Sequence, residues 1–250
     1  MKLLDGKAAI ITGASSGIGR AAAGLFAEHG ASLVLVARRA DRLEEVAALI
    51  ERQGGQARVV VGDVTQEKTH RDAVATALDT FGRLDVAFNN AGLVGEMGPL
   101  ADTSMETWTQ VIDANLTAAF LGARSQIPAM LAGGGGALVF TSSFVGNSVG
   151  LPGMGPYAAA KAGLMGLVRA ITADYAAQGI RANALLPGGT ATEMAGDADQ
   201  REWAASLHAM KRIADPREIA QAALFLASEM ASFVTGSALW ADGGSAAVKL

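Results

Sequence analysis

Short apolar runs alternate with amphipathic stretches from one end of the chain to the other. The runs at residues 8–12, 32–37, 57–61, 84–89, 136–142, 180–186 and 238–241 are apolar nearly throughout and too short for helices, the pattern of strands covered on both faces. Between them, residues 18–28, 42–52, 68–81, 105–131, 157–175 and 216–228 repeat apolar positions at helical spacing. Strands alternating with helices predict the α/β class: a doubly wound parallel sheet of about seven strands with helices on both faces. Ser15 or Ser16 is placed to cap the first helix, and Asp215-Pro216 has the cap-then-proline form of a helix start.

The four glycines at 133–136 end a helical pattern and precede an apolar run, so they suit a helix-to-strand turn as well as a flexible linker. No domain boundary is expected there, and the 250 residues are read as one domain. Residues 188–210 lack a strand, carry Gly, Thr, Asp and Met, and follow Leu186-Pro187; a lid over a site is the expectation, with a disordered segment as the alternative.

Composition narrows the partners. Half of the residues are hydrophobic, 18% are charged and the net charge is −4 with basic residues scattered, which provides no basic face for nucleic acid or an anionic membrane. Cys is absent, so neither disulfides nor thiolate catalysis is available, and His29, His70 and His208 are too dispersed to suggest a metal site. The start of the chain lacks the pattern of a signal peptide, and no apolar stretch reaches the roughly 18 to 20 residues that span a bilayer. A cytoplasmic, soluble protein acting on a small molecule is expected.

Candidate chemistry begins after the first strand. Gly13, Ser15, Ser16, Gly17, Ile18 and Gly19 open the first helix, where absent side chains let backbone N–H groups approach a pyrophosphate. The spacing is G-x-x-x-G-x-G rather than G-x-G-x-x-G. At the end of the second strand an NAD-binding unit usually carries Asp or Glu, but here Arg38 and Arg39 stand in that place, and a guanidinium fork matches a 2′-phosphate. NADP(H) is therefore favoured, with NAD(H) left open, because both arginines could instead be a solvated helix start paired with Asp41 or Glu44. Asp63 and Val64 suit an adenine, or a helix cap. Asn89 is expected to be structural, with Asn90, Ala91 and Gly92 bordering the cofactor.

Tyr157 and Lys161 lie at i and i+4, one turn apart on one helix face. A free Tyr titrates near ~10, and a neighbouring ammonium and a positive nicotinamide would bring it toward working pH. Thr141, Ser142 and Ser143 end the fifth strand, where a hydroxyl and the phenol could bond one carbonyl oxygen together. Asn115, amid apolar neighbours, could hold a water that connects Lys161 to solvent, or be a satisfied buried amide.

Taken in order, Thr12-Gly13-x-x-x-Gly17-Ile18-Gly19, Asn89-Asn90-Ala91-Gly92, Asn115, Ser143, Tyr157-x-x-x-Lys161 and Pro187-Gly188 resemble the short-chain dehydrogenase/reductase family over essentially the whole chain. The resemblance implies a Rossmann-like domain assembled as a homotetramer or dimer, and an oxidoreductase that moves a hydride between NADP(H) and a carbonyl or secondary alcohol. It assigns proton transfer to Tyr157, the substrate oxygen to Ser143, ribose binding and a lowered phenol pKa to Lys161, and completion of a proton relay to Asn115. It places Pro187, Gly188 and Thr190 along the nicotinamide and Thr192 at the pyrophosphate or carboxamide.

Two features depart from the family pattern. The loop from Ser143 to Tyr157 is one residue longer than the commonest spacing, so Ser143 is preferred to Ser142 by matching Ser143-Phe144-Val145-Gly146 to Ser-x-x-Gly. Gly189 stands where a larger apolar residue is usual, which predicts a looser nicotinamide wall and leaves open which Thr makes contact. Met97, Phe144, Leu151, Met154, Met194, Trp203 and Met210 suggest an apolar or mixed substrate pocket, although core packing explains a Met or Trp just as well; in its motifs the chain is similar to 3-oxoacyl-thioester reductases and to sugar or polyol dehydrogenases. The alternatives are an NAD(H)-dependent sugar or polyol dehydrogenase and a non-catalytic dinucleotide sensor. By resemblance only, residues 235–241 and the Lys249-Leu250 end belong to a subunit interface.

Overall fold

Strands β1 (Ala8–Thr12), β2 (Ser32–Ala37), β3 (Gln56–Val61), β4 (Val86–Asn89), β5 (Gly136–Thr141), β6 (Ile180–Pro187) and β7 (Ala238–Ala241) form one sheet in the order β3-β2-β1-β4-β5-β6-β7. Every neighbouring pair is parallel. The computed structural model describes residues 2–248, so the Lys249-Leu250 end lies outside the described residues. Central β1 is buried at every position, whereas edge β3 alternates between covered and exposed side chains and edge β7 leaves Trp240 exposed. That contrast follows from helices covering both faces only in the middle of the sheet.

Helices α1 (Gly17–Glu28), α2 (Ala40–Arg52) and α8 (Pro216–Ala227) cover one face, with Phe26, Leu43, Ile50 and Leu224 in its core. On the other, α3 (Glu67–Phe81), α5 (Ala118–Ala132) and α6 (Gly155–Tyr175) bury Val74, Met130, Leu164 and Ile171. Each such side chain contributes about 1.5–3 kcal/mol through removal from water. Among the described residues no helix is long and apolar enough to cross a membrane.

Residues 105–131 are not one helix. They form α4 (Met105–Ile112), a single π-helical turn (Asp113–Thr117) and α5. The side chain of Asn115 donates from Nδ2 to the Val111 carbonyl, the acceptor that a regular α-helix would offer to the Asn115 backbone, and the helix widens there. Residues 188–210 also contain more regular structure than expected: a 3-10 turn (Glu193–Ala195) and α7 (Ala198–Ser206), the latter started by an Asp197/Gln200 capping box. Asp215 and Glu218 form the same box at α8. The glycines at 133–136 make the helix-to-strand turn, and a Cβ at Gly135, where φ is +134°, would meet the Gly179 carbonyl carbon at 3.1 Å.

Candidate active site

The sheet order reverses between β1 and β4, whose onward connections run to opposite sides, and the crevice outside their carboxyl ends is where open α/β sheets bind ligands. A cavity of about 1160 Å³ opens there. One end is walled by the turn before α1 and by Arg38, the other by Tyr157, Leu151 and Trp203.

The turn before α1 is held by backbone proximity that only glycine permits. Gly13 has φ +68°, and a Cβ on it would lie 2.9 Å from Asn90 Nδ2; a Cβ on Gly19 would strike the Gly13 carbonyl. Thr12 ties this turn to β4, its Oγ1 accepting from the backbone N–H groups of Asn90 (2.9 Å) and Ala91 (3.0 Å). Neither serine caps α1. Ser16 occupies the N-cap position, but its hydroxyl accepts from Arg39 Nη2 at 2.8 Å, and Ser15 accepts from the same nitrogen at 3.2 Å. The first N–H groups of α1 thus have no side-chain partner and face the cavity end lined by Ser15, Ser16, Gly17 and Ile18, which fits the pyrophosphate of a dinucleotide.

Arg38 is exposed on the cavity wall, with no ion pair or hydrogen bond among the described residues. Arg39 is held between the two serines and Glu193, and neither arginine pairs with Asp41 or Glu44. Asp63 does not cap α3, whose N-cap is Gln66; its Oδ1 accepts from Thr65 N and Oγ1, both at 2.9 Å, shaping the loop that places Asp63 and Val64 on the cavity wall. Asn89 points away and exchanges two hydrogen bonds with Gln126, at 2.9 and 3.1 Å, while Asn90, Ala91 and Gly92 border the cavity.

At the far end, β5 and α6 converge. The Ser143 hydroxyl and the Tyr157 phenol line the same wall of the cavity, and Ser143 Oγ accepts from the Val145 backbone N–H at 3.1 Å. Ser142 faces the other way, donating to the Lys161 carbonyl at 2.8 Å. Asn147, which the sequence reading overlooked, sits between them: its Nδ2 donates to Ser142 Oγ (3.1 Å) and to the Ser143 carbonyl (2.9 Å). An Asn in a Gly/Pro-rich loop carries no distinctive signal. Gly146 has φ +85° and lies against the Ala158 backbone of α6, so the loop is clamped to the helix that carries Tyr157.

Lys161 Nζ lies 5.4 Å from the centre of the Tyr157 ring and donates to the Thr141 carbonyl at 2.7 Å. Burial pushes Lys161 down to about 7. Tyr157 is shifted opposite to expectation: burial drives the phenol above its ordinary value, and the neighbouring Ser143 hydroxyl offsets only part of that rise. Asn115 donates to the carbonyls of Leu93 and Val111, both at 2.8 Å, while its Oδ1 is the one buried side-chain oxygen or nitrogen without a partner among the described residues. A Cβ on Gly92 would collide with that Oδ1 and lie 3.3 Å from Lys161 Nζ, so the two polar atoms face the same small space.

The wall formed by residues 187–190 is filled rather than loosened. Buried His208 accepts from Gly189 N–H through Nε2 (2.8 Å), so its Nδ1 carries the proton donated to the Ala204 carbonyl (2.6 Å). A Cβ on Gly189 would lie 3.0 Å from Ile213 Cγ2 and 3.1 Å from His208 Cε1; these two side chains occupy the space of a larger residue 189. Pro187 and Gly188 border the cavity, and Thr190 turns its hydroxyl inward to the Gly188 carbonyl at 3.0 Å. Thr192 lies over Gly17, where an added Cβ would meet its Cγ2 at 2.9 Å. Met97, Phe144, Leu151, Met154, Met194 and Trp203 line the cavity, but Met210 does not; it is exposed beside Gly243.

A family model described as enoyl-(acyl carrier protein) reductase matches residues 13–246. The chain is 40% identical to a cyclohexanol dehydrogenase of Acinetobacter sp. (strain SE19), covering 96% of this chain and 94% of the relative. It is 42% identical to an A-factor type gamma-butyrolactone 1'-reductase (1S-forming) of Streptomyces virginiae, covering 97% and 96%. Carveol dehydrogenase from Mycobacterium avium, solved in complex with NAD, superposes with a TM-score of 0.94 at 30% identity, covering 98% of this chain and 99% of that one. With likeness running the length of both sequence and structure, the chain belongs to the short-chain dehydrogenase/reductase family of oxidoreductases.

Proposed function

We propose that the protein interconverts a secondary alcohol and its ketone on an apolar framework, using NADP(H) in preference to NAD(H). The observation that carries this reading is the meeting of Ser143, Tyr157 and Lys161 at the end of β5, in a cavity whose other end is the glycine turn and Arg38. When bound, the nicotinamide supplies or accepts the hydride.

In ketone reduction, the neutral phenol of Tyr157 gives its proton to the carbonyl oxygen as negative charge develops there. Ser143 holds that oxygen and orients it against the phenol. Lys161 binds the nicotinamide ribose, and its ammonium form stabilises the phenolate left on Tyr157. Asn115 Oδ1, facing the same space as Lys161 Nζ, extends the path along which that proton is replaced. Alcohol oxidation reverses each step. Arg38 and Arg39 take the 2′-phosphate, Asp63 and Val64 the adenine, the α1 N-terminus the pyrophosphate, Thr192 its outer side, and Pro187, Gly188 and Thr190 the nicotinamide.

The substrate end supports an apolar ring or chain rather than a polyol, since Leu151, Met154 and Trp203 offer little to bond several hydroxyls. A non-catalytic sensor has no use for Ser143, Tyr157 and Lys161 brought together at one wall of the cavity. A homotetramer or dimer in the cytoplasm completes the reading; fully exposed Phe233, with Met230 and Trp240 near edge β7, supports an interface that includes residues 235–241. Titration of NADPH and NADH by Trp fluorescence tests cofactor choice: Arg38→Asp should weaken NADPH binding strongly, and unchanged binding would remove the phosphate role. Tyr157→Phe should lower turnover of cyclohexanone or cyclohexanol by about 10²–10⁴. An undiminished rate with a responsive ketone would end the acid/base assignment.

A further inference from the structure

Glu193 follows Thr192 on the segment that crosses the mouth of the cavity. Its two carboxylate oxygens reach different partners on the opposite bank: Oε2 accepts from Arg39 Nη1 at 3.1 Å, and Oε1 accepts from Arg42 Nη1 on the first turn of α2. These contacts join residues more than 150 positions apart in sequence. The other terminal nitrogen of Arg39 is already given to Ser15 and Ser16. Both ends of the Arg39 fork are therefore engaged, and Arg38 is the cation on this wall without a partner among the described residues. Hydrogen bonds from Arg42 and Arg39 hold the Glu193 carboxyl below its ordinary range, so it is an anion at neutral pH.

We infer that Glu193 is a cofactor-specificity residue: its carboxylate occupies the Arg39 and Arg42 donors, so the 2′-phosphate of NADP(H) reaches those donors only by displacing it, whereas NAD(H) leaves it in place. The inference rests on the reading that the arginines after β2 face the 2′-phosphate. A dianionic phosphate and a carboxylate cannot share one guanidinium face without repulsion, and the displacement lowers NADP(H) affinity without touching the nicotinamide end. NAD(H), with a hydroxyl at that position, leaves the ion pairs of Glu193 with Arg39 and Arg42 in place. Glu193 thereby moderates, without reversing, the NADP(H) preference that the arginines after β2 confer.

The test is the dissociation constant of each reduced cofactor, read by fluorescence with wild type, Glu193→Gln, Glu193→Ala and Arg39→Ala. Both Glu193 variants should raise the preference for NADPH over NADH on the order of tenfold, equivalent to about 1.4 kcal/mol. NADPH binding should tighten while NADH binding is unchanged or weaker. If Arg39→Ala weakens NADPH binding but neither Glu193 variant moves the ratio by more than about twofold, the Glu193 inference falls and the phosphate role of the arginines stands. If Arg39→Ala and Arg38→Asp both leave NADPH binding unchanged, the phosphate reading falls, and the Glu193 inference with it.

Discussion

Lys161→Met should make the protein more stable while abolishing its turnover. Lys161 is 3% exposed, and burial lowers its pKa from 10.5 in a free side chain to about 7. A lysine whose folded pKa lies below its unfolded value takes up fewer protons when folded, so between those values stability rises with pH. The burden is complete below pH 7, still about 4 kcal/mol at pH 7, and gone above about pH 10.5. Methionine has a similar volume and no charge to desolvate. Against this stands the lost hydrogen bond from Nζ to the Thr141 carbonyl, which offsets about 1–3 kcal/mol.

The net gain at pH 7 is therefore about 1–3 kcal/mol, or roughly 3–10 °C in Tm for a domain of this size. Melting of the cofactor-free proteins by circular dichroism from pH 6 to 10 is the assay. The variant should lead at pH 6 and 7, and the gap should close and then reverse as the pH approaches 10. A variant that melts below wild type by the same margin at every pH would refute the idea that Lys161 is held at a cost in stability for its role beside Tyr157.

Two further outcomes are expected. Gly92→Ala should fold and bind cofactor, yet lose about tenfold or more in turnover, because the new Cβ enters the space shared by Asn115 Oδ1 and Lys161 Nζ; steady-state kinetics beside a cofactor titration would separate these effects, and full turnover would show that the space is not used. Asp85→Ala should destabilise the fold by about 1–3 kcal/mol at pH 7, since Ala8 N–H loses its 2.9 Å acceptor and Arg83 its bidentate partner. Burial raises the Asp85 carboxyl, but Arg83, Ala8 N–H and Lys7 together bring it below its ordinary value, so its contribution is present above the usual carboxylate range and fades as pH falls through that range. Denaturant melts at pH 7 and pH 3 should show the wild type and variant converging; an unchanging difference would contradict the assignment.

Local pattern determined the architecture. Apolar runs too short for helices, separated by amphipathic stretches, implied a covered parallel sheet, and strand boundaries agree within two residues because burial on both faces imposes a continuous apolar run. Glycine positions disclosed the turn before α1, since the close approach of Gly13 and Gly19 excludes any Cβ. Tyr157 and Lys161 were legible together because their separation is a property of one helix. Contacts between elements distant in sequence were not legible. The π-helical turn at Asn115 depends on the acceptor at Leu93 as well as the one at Val111, and only the folded chain brings Leu93 there.

Tertiary structure likewise decided that Ser15 and Ser16 serve Arg39 instead of capping α1, that Ser142 turns to the Lys161 carbonyl while Ser143 meets Tyr157, and that His208 fills the space beside Gly189. Glu193 is the plainest case: nothing around it in sequence marks it, and its meaning comes from two arginines more than 150 residues earlier. The sequence by itself specified what each segment can become, because helix and strand periods are written in neighbouring residues. Which polar groups face one another, and how burial moves their charges, was decided by the packing of segments whose order in space the sheet alone sets.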